Sequence, residues 1–427
     1  MSERVLLRHR DIPGLGRIGI YQEHGGFEAF RKVLTTLQPV QVTEEVKKSG
    51  LRGRGGAGFP TGVKWGFLPD RIWPHYVVAN ADESEPGTFK DREILEGNPF
   101  QFLEGLMIAC YAVQANLGFI YLRGQFWQIA QALDEKIAAL EAEGWLGDNI
   151  LGTAYSLRLR THLGAGAYIC GEETALLESI EGVLGQPRLR PPFPAVYGLY
   201  GKPTVINNVE TLTNLPPIIT RGAAWYHTIG TDRSPGPKIF SLSGRVNRPG
   251  NYELPLGTTF RHLIYDLGGG IPEGRAIKAI MPAGESSALI KATDAVLDTP
   301  MDYEAVALLD SALGAASIIV LDETVDMQWL LHKTAHFFRH ESCGKCTPCR
   351  IGNRILTDTL DKIIAGEGEP GDLEVMRRVA DTMARTSLCG LGQVASNPLT
   401  SSLRNFLPEY EAHISGKYYP AVEGTDV

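Results

Sequence analysis

The 427 residues are 43% hydrophobic and 21% charged, a globular composition and not a disordered or fibrous one. A formal net charge of −8 offers no basic surface to displace counterions, which excludes nucleic acid as a partner. No stretch approaches the ~18 apolar residues of a membrane span, and the opening Met1-Ser-Glu-Arg-Val-Leu-Leu-Arg-His-Arg10 lacks a signal-peptide core.

The length predicts roughly two to three domains, with neither internal repeats nor low-complexity segments. Val42 to Gly50 has a helical texture. It leads into Gly53-Arg-Gly-Gly-Ala-Gly58, which formally matches G-x-G-x-x-G. A dinucleotide fingerprint follows a strand and opens a helix, and this loop does neither. Its glycines still remove the Cβ barrier and expose N–H groups, so it can cradle a phosphate or let a ring approach. Arg54 and Lys64 add positive charge beside it. Tyr76-Val-Val-Ala79 reads as a buried strand running into the polar loop Asn80-Ala-Asp-Glu-Ser-Glu-Pro-Gly87. Ile129, Ala130, Leu133, Ile137 and Leu140 recur at helical spacing. A second cluster, Gly164-Ala-Gly-Ala-Tyr-Ile-Cys-Gly-Glu-Glu-Thr174, precedes an apolar helical run. Its carboxylates suit ribose hydroxyls or a flavin edge, and equally suit a helix N-terminus. Strands alternating with helices make the first domain α/β.

Asp232 to Pro237 is the predicted linker. Lys238 to Ser243 and Gly250 to Leu254 read as strands about the turn Asn247-Arg-Pro-Gly250, followed by a helix from Thr258 to Leu267 that Gly268 ends. A hairpin followed by a helix opens a small β-grasp domain. The run Ala315 to Leu321 has strand length. From about Asp326 the pattern turns helical: Leu356, Leu360, Ile363 and Ile364 share a face, and Gly366 stops that helix. Asp372 is the predicted cap of the next, and Asn397-Pro398 opens the last of three or four short helices forming a bundle. A loose tail is expected after Gly416.

Four of the six cysteines fall in this region as Cys343-x2-Cys346-x2-Cys349 with Cys389 downstream; Cys110 and Cys170 stand alone. Such clustering in a large chain indicates a metal or cluster centre and not a disulfide framework. Three close thiolates with a remote fourth suit [4Fe–4S]. Zinc is the competing occupant, although it usually takes paired knuckles. Gly344 and Pro348 favour a loop here. His332, His336 and His340 form one stripe just before Cys343; neutral imidazoles there could bind metal, but the cysteines already supply a full ligand set, so the stripe reads as a packed or solvated helix face.

Several long motifs, spread from residue 51 to residue 392, together resemble the NADH-binding flavoprotein subunit of complex I, the bacterial NADH–quinone oxidoreductase. They are Leu51-Arg-Gly-Arg-Gly-Gly-Ala-Gly-Phe-Pro-Thr-Gly62, Asn80 to Arg92, Gly166 to Ala175, Gly201 to Thr211, Glu341-Ser-Cys-Gly-Lys-Cys-Thr-Pro-Cys-Arg350 and Ser387 to Gly392. The resemblance implies a Rossmann-like FMN domain over 1–235, a ubiquitin-like β-grasp (SLBB-type) domain over 236–325, and a helical bundle holding [4Fe–4S] over 326–427. It maps FMN contacts to Gly53, Arg54, Gly55, Lys64, Asn80, Asp82, Glu83, Tyr168, Gly171, Glu172, Asn207 and Asn208. NADH contacts map to Gly56, Phe59, Phe67, Glu85 (near the nicotinamide), Glu173 and Phe193, with Ala57, Arg190 and Ile206 also lining the cofactors. Cys343, Cys346, Cys349 and Cys389 become cluster ligands, and Gly390 and Leu391 beside Cys389 the link toward the flavin. Two positions depart from the family pattern. Arg190 stands where Lys is common, and Ile351 replaces an acid after the Cys-Arg pair.

The implied reaction is hydride transfer from NADH to FMN and single-electron delivery to the cluster, with no essential protein acid or base. Implied partners are a thioredoxin-like [2Fe–2S] subunit and a large Fe–S subunit, on the cytoplasmic side of a bacterial inner membrane without insertion. The alternatives are the diaphorase subunit of a soluble NAD-linked hydrogenase or formate dehydrogenase and, in another class, a zinc-stabilised scaffold without catalysis.

Overall fold

A computed structural model describes residues 3–414; the predicted tail after Gly416 lies outside the described residues. The chain divides into two units. One takes in the chain up to Ser84, Thr88–Phe240 and Asn251–Thr258; the other takes in Glu85–Gly87, Ser241–Gly250 and the chain from Thr259 onward.

The first unit is built on four parallel strands, β1 (Tyr76–Ala81), β2 (Leu117–Leu122), β3 (Arg158–Leu163) and β4 (Thr204–Asn208), in the order β3-β2-β1-β4. Parallel strands need crossovers, and helices supply them. The helix Pro99–Ala112 is almost wholly buried, its mainly apolar sequence taking Gln101 and Glu104 inward with it, and Gly105 lets it approach the backbone of Leu212. The helix Trp127–Ala142 buries Ile129, Ala130, Leu133, Ile137 and Leu140, the predicted stripe. The helix Pro39–Lys48 precedes the glycine loop and only the short helix Thr61–Trp65 follows it, so the loop is not the strand-to-helix turn of a dinucleotide fingerprint.

Strands β5 (Pro237–Gly244), β6 (Gly250–Pro255), β7 (Ile277–Glu285), β8 (Ile290–Lys291) and β9 (Ser317–Asp322) form a mixed sheet in the order β6-β5-β9-β7-β8. β5 runs parallel to β9, while β7 runs antiparallel to β8 and β9. The predicted linker is shorter than expected, because Pro235 bridges Gly230 and Pro237 already belongs to β5. The helix expected from Thr258 is wound as a π-helix over His262–Leu267.

Beyond β9 lie six helices among the described residues, more than the three or four expected: Met327–Glu341, Thr347–Ile364, Pro370–Thr386, Gly390–Val394, Asn397–Asn405 and Leu407–Ile414. The first three pack consecutively. Leu356, Leu360 and Ile363 are buried, but Ile364 at the helix end faces solvent. Asp372 is not the cap it was expected to be. Glu369 is the N-cap, and Asp372 sits three residues on, accepting from the Glu369 N–H at 2.7 Å in a capping box. Pro370 at the first helical position moved the start upstream. Pro348 likewise opens a helix and does not hold a loop: Cys346 is the N-cap and Cys349 lies in the first turn, where proline's missing N–H costs nothing. No described helix is long and apolar enough to cross a membrane.

Candidate functional site

The order of the parallel sheet reverses between β1 and β4, and nucleotide crevices open at the carboxyl ends of strands at such a reversal. Asn80 is the last residue but one of β1, and Asn207 and Asn208 end β4. The glycine loop lies against this edge. A Cβ on Gly55 would stand 2.8 Å from the Asn208 Cβ, so only glycine allows the approach. Gly53 N–H donates to the Phe59 carbonyl at 2.8 Å and closes the loop, while Gly56 faces open space and Ala57 is exposed. Arg54 turns inward and is fully buried. Its N–H donates to Thr211 Oγ1 at 2.8 Å, and Nη2 donates to the Tyr226 hydroxyl at 3.0 Å and the Pro235 carbonyl at 2.8 Å.

The two acidic clusters meet across the same strand ends. Asn80 Nδ2 donates to the Gly171 carbonyl at 2.9 Å, and a Cβ on Gly171 would lie 3.3 Å from Asp82 Oδ2. Tyr168–Gly171 forms a 3-10 turn, after which Glu172 caps the helix Glu173–Ile180 by accepting from the N–H groups of Thr174 and Ala175 at 2.9 and 3.0 Å. Glu172 is therefore the cap and Glu173 the acid of the first turn. Glu173 also pairs with Lys64 at 2.8 Å and Arg190 at 3.1 Å. Lys64 also donates to the Ile206 carbonyl at 3.0 Å, and Trp65 Nε1 to Asn207 Oδ1 at 2.9 Å, so the short helix Thr61–Trp65 is tied to β4. The exposed rings of Phe59 and Phe67 lie 6.0 Å apart, and Arg190 sits 5.9 Å from the exposed ring of Phe193.

Beneath these groups lies a buried ion network. Lys90 contacts Asp91 at 2.7 Å and Glu210 at 2.9 Å; Lys238 contacts Glu210 at 2.5 Å and the Arg54 carbonyl at 3.3 Å. Asp91 Oδ2 accepts from Asn208 Nδ2 at 2.6 Å. Burial raises the Glu210 carboxyl, but Lys238 and Lys90 outweigh it and hold the group ionised. Lys238 is pushed down to about 7 by burial, against the pull of Glu210. Glu83, accepting from the N–H groups of Asp91 and Arg92 at 2.8 and 3.0 Å, is raised to about 7 by burial and by neighbouring Asp91. Lys90 and Lys238 thus share the carboxylates of Asp91 and Glu210 beneath the loop, with Arg54 close enough to help hold Glu210 ionised.

Glu85 belongs to the second unit, where its Oε1 accepts from the Ser286 N–H at 2.8 Å. Its neighbour Glu285 is raised to about 7 by burial and by Glu85. In the same unit the four clustered cysteines converge. Burial first, then Cys346, Cys389 and Cys343 nearby, push the Cys349 thiol up to about 11. Ser342 Oγ lies 3.2 Å and Asn353 Nδ2 3.3 Å from its sulfur. Cys389 is the N-cap of Gly390–Val394, and that helix is held close: a Cβ on Gly392 would stand 2.9 Å from the Cys349 Cβ. Four neighbouring thiols drawn from a loop and two helix starts offer a sulfur donor set of the kind that suits an iron–sulfur centre. Cys110 and Cys170 are buried elsewhere, and burial alone raises the Cys110 thiol.

Residues 46–217 match the family described as the Nuo51 FMN-binding domain, 329–413 the NADH-ubiquinone oxidoreductase-F iron-sulfur binding region, and 239–289 the SLBB domain. The chain is 47% identical to the second F-type NADH-quinone oxidoreductase subunit of Rhizobium meliloti, over 98% of this chain and 100% of that protein. The chain belongs to the family of F-type NADH-quinone oxidoreductase subunits. It is also 44% identical to the NADP-reducing hydrogenase subunit HndC of Solidesulfovibrio fructosivorans, over 93% of this chain and 80% of that one. Among solved structures, an NAD+-reducing [NiFe]-hydrogenase in the H2-reduced state superposes with a TM-score of 0.81 at 38% identity. That match covers 90% of this chain and 66% of the hydrogenase chain.

The network of Lys90, Asp91, Glu210 and Lys238 was not read from the sequence, although Lys90, Asp91 and Glu210 stand inside the motifs that mark the F-type family. The available signal was Lys238 itself, a charge at the head of an otherwise apolar strand, Ile239-Phe240.

Proposed function

We propose that the chain oxidises NADH through FMN and delivers the electrons to a [4Fe–4S] centre, the entry step of an NADH–quinone oxidoreductase. The observation that carries this reading is the end-to-end match with the F-type protein of Rhizobium meliloti, which takes in both the strand-end site and the cysteine centre. The residues fit the groups. The Gly55–Asn208 approach seats the glycine loop against the strand end, Gly56 beside it faces open space, and exposed backbone N–H groups of such a loop suit a phosphate-bearing ligand. The four thiols supply a complete sulfur donor set. When bound, FMN takes a hydride from NADH, and the cluster takes electrons one at a time.

The chain's own residues bind, orient and screen. FMN falls to Gly53, Arg54, Gly55, Lys64, Asn80, Asp82, Glu83, Tyr168, Gly171, Glu172, Asn207 and Asn208; NADH falls to Gly56, Phe59, Phe67, Glu85, Glu173 and Phe193. Exposed Phe59, Phe67 and Phe193 offer faces for stacked rings, and Glu173 offers an acceptor for a ribose hydroxyl. A hydride carries its own electron pair, so no side chain need remove a proton. In this reading 1–235 is a Rossmann-like domain, 236–325 a β-grasp domain and 326–427 a cluster-binding bundle. The chain docks with a thioredoxin-like [2Fe–2S] subunit and a large Fe–S subunit, as a peripheral protein on the cytoplasmic side of a bacterial membrane.

The test is the purified protein itself. It should be yellow-brown, carry FMN, iron and sulfide, and lose its flavin absorbance when NADH is added without air. Colourless protein containing zinc would end the proposal. A second reading, the diaphorase subunit of a hydrogenase, draws on the HndC and hydrogenase similarities. Co-purification with quinone-reductase or with hydrogenase subunits separates the two.

A further inference from the structure

The helices before and after the cysteine loop meet along a seam closed by charged pairs. At one turn, Arg339 on Met327–Glu341 donates to Asp358 on Thr347–Ile364 at 2.8 Å, a permanent cation facing a carboxylate. One turn further along, Asp361 faces no such cation. Among the described residues its partners are the imidazoles of His332 and His336, which are cationic only when protonated. His332 Nε2 lies 2.7 Å and His336 Nε2 3.0 Å from one and the same oxygen, Asp361 Oδ1. The rings are 4.4 Å apart, and the three ligand atoms all lie within 4.8 Å of one another.

We propose that His332, His336 and Asp361 form a binding site for a divalent transition-metal ion of the zinc type, separate from the cysteine centre. Both distances to the carboxylate need little adjustment. A tetrahedral zinc ion with bonds of roughly 2.0–2.1 Å holds its ligand atoms about 3.3 Å apart. The separations of 2.7 and 3.0 Å to Asp361 Oδ1 therefore have to open by only a few tenths of an ångström. Histidines at i and i+4 share one helix face, which fixes two ligands before the metal arrives. Two imidazoles and one carboxylate suit zinc, nickel or copper; calcium and magnesium favour all-oxygen shells. His336 and Asp361 are exposed and His332 is half-buried, which leaves the approach open and a fourth position for water. The competing account is a pair of screened ion pairs, which contribute little between exposed groups.

An ion here would join two helices that frame the cysteine loop. Met327–Glu341 ends two residues before Cys343, and Thr347–Ile364 carries Cys349 in its first turn. Binding to the folded state alone stabilises it by mass action, so the metal should brace the cysteine centre without sharing its ligands.

The experiment titrates zinc into the whole chain as isolated, free of any affinity tag and without air, counting bound zinc and retained iron together. Wild type should take up one more equivalent of zinc than His332→Gln/His336→Gln, with iron unchanged. Asp361→Asn should weaken that uptake about tenfold or more, a loss that corresponds to ~1.4 kcal/mol. Zinc should raise the unfolding temperature of wild type and not that of the double variant. Equal uptake by wild type and either variant, or uptake matched by iron loss, overturns the proposal.

Discussion

The strand-end site and the cysteine centre solve opposite electrostatic problems. In the first, the charges are already compensated by protein: Lys90, Asp91, Glu210 and Lys238 are fully or nearly fully buried and satisfy one another at 2.5 to 2.9 Å. In the second, four sulfurs are gathered together, and burial and mutual proximity raise the Cys349 thiol to about 11. Four thiolates would repel one another unless a cationic centre gathers them, so binding and local order are linked there. The first site is preorganised and should outlast its ligand; the second should depend on its occupant.

The largest effect expected from this contrast is at Cys346. Cys346→Ser should lose essentially all cluster iron, while anaerobic NADH still bleaches bound FMN. A folded variant that keeps FMN but cannot be reduced by NADH would break the separation of the two regions.

Next comes the buried network. Lys238→Met leaves Glu210 with one cation fewer and removes the donor to the Arg54 carbonyl. Breaking a buried pair costs about 3–5 kcal/mol, so the denaturant midpoint should fall sharply and FMN retention with it. A shift under ~1 kcal/mol would mean that Lys90 alone compensates Glu210, and that preorganisation lies elsewhere.

Glu173 probes selectivity at the rim of the site. It holds Lys64 and Arg190, and a 2′-phosphate on the nucleotide would meet a like charge there. Glu173→Gln removes the charge and frees both cations for a phosphate. Efficiency with NADPH should rise more than about tenfold, with a modest loss for NADH. An unchanged ratio in steady-state kinetics would move the selecting charge to another residue.

The smallest effect belongs to a partly exposed ion pair of the first unit. Burial raises the Glu93 carboxyl, but hydrogen bonds from His9, Arg10 and Asn251 outweigh it and hold the group down to about 2 from its ordinary 4.5. A folded pKa below the unfolded one stabilises above pH 4.5, and the contribution disappears as pH falls through about 2. Solvent screening limits it to about 1 kcal/mol. Wild type should exceed Glu93→Gln by that amount at pH 7 and converge with it near pH 2. A constant gap across this range would assign the loss to packing and not to charge.

Much of the molecule was legible in its sequence where the physics is local. The stripe from Ile129 to Leu140 faces the core because helical periodicity alone decides it. The hairpin strands appear where β-formers flank Asn247 to Gly250. Helix starts were misplaced at Asp372 and Pro348 for a local reason too: proline tolerates the first turn, so residues expected to cap or to loop sit inside it.

By itself, the sequence determined the family through its motifs, the thiol donor set through cysteine spacing, and the α/β alternation through hydrophobic period. Each of these is read from residue identity and order along the chain, without knowing which segments pack together. The tertiary structure alone decided that Gly55 abuts Asn208, that Lys238 completes a pair with Glu210, and that Asp361 meets His332 and His336. Those partners are brought together by packing of distant segments. A buried charge or a close backbone approach is tolerable only once its counterpart has arrived, so no short window of the chain contains the answer.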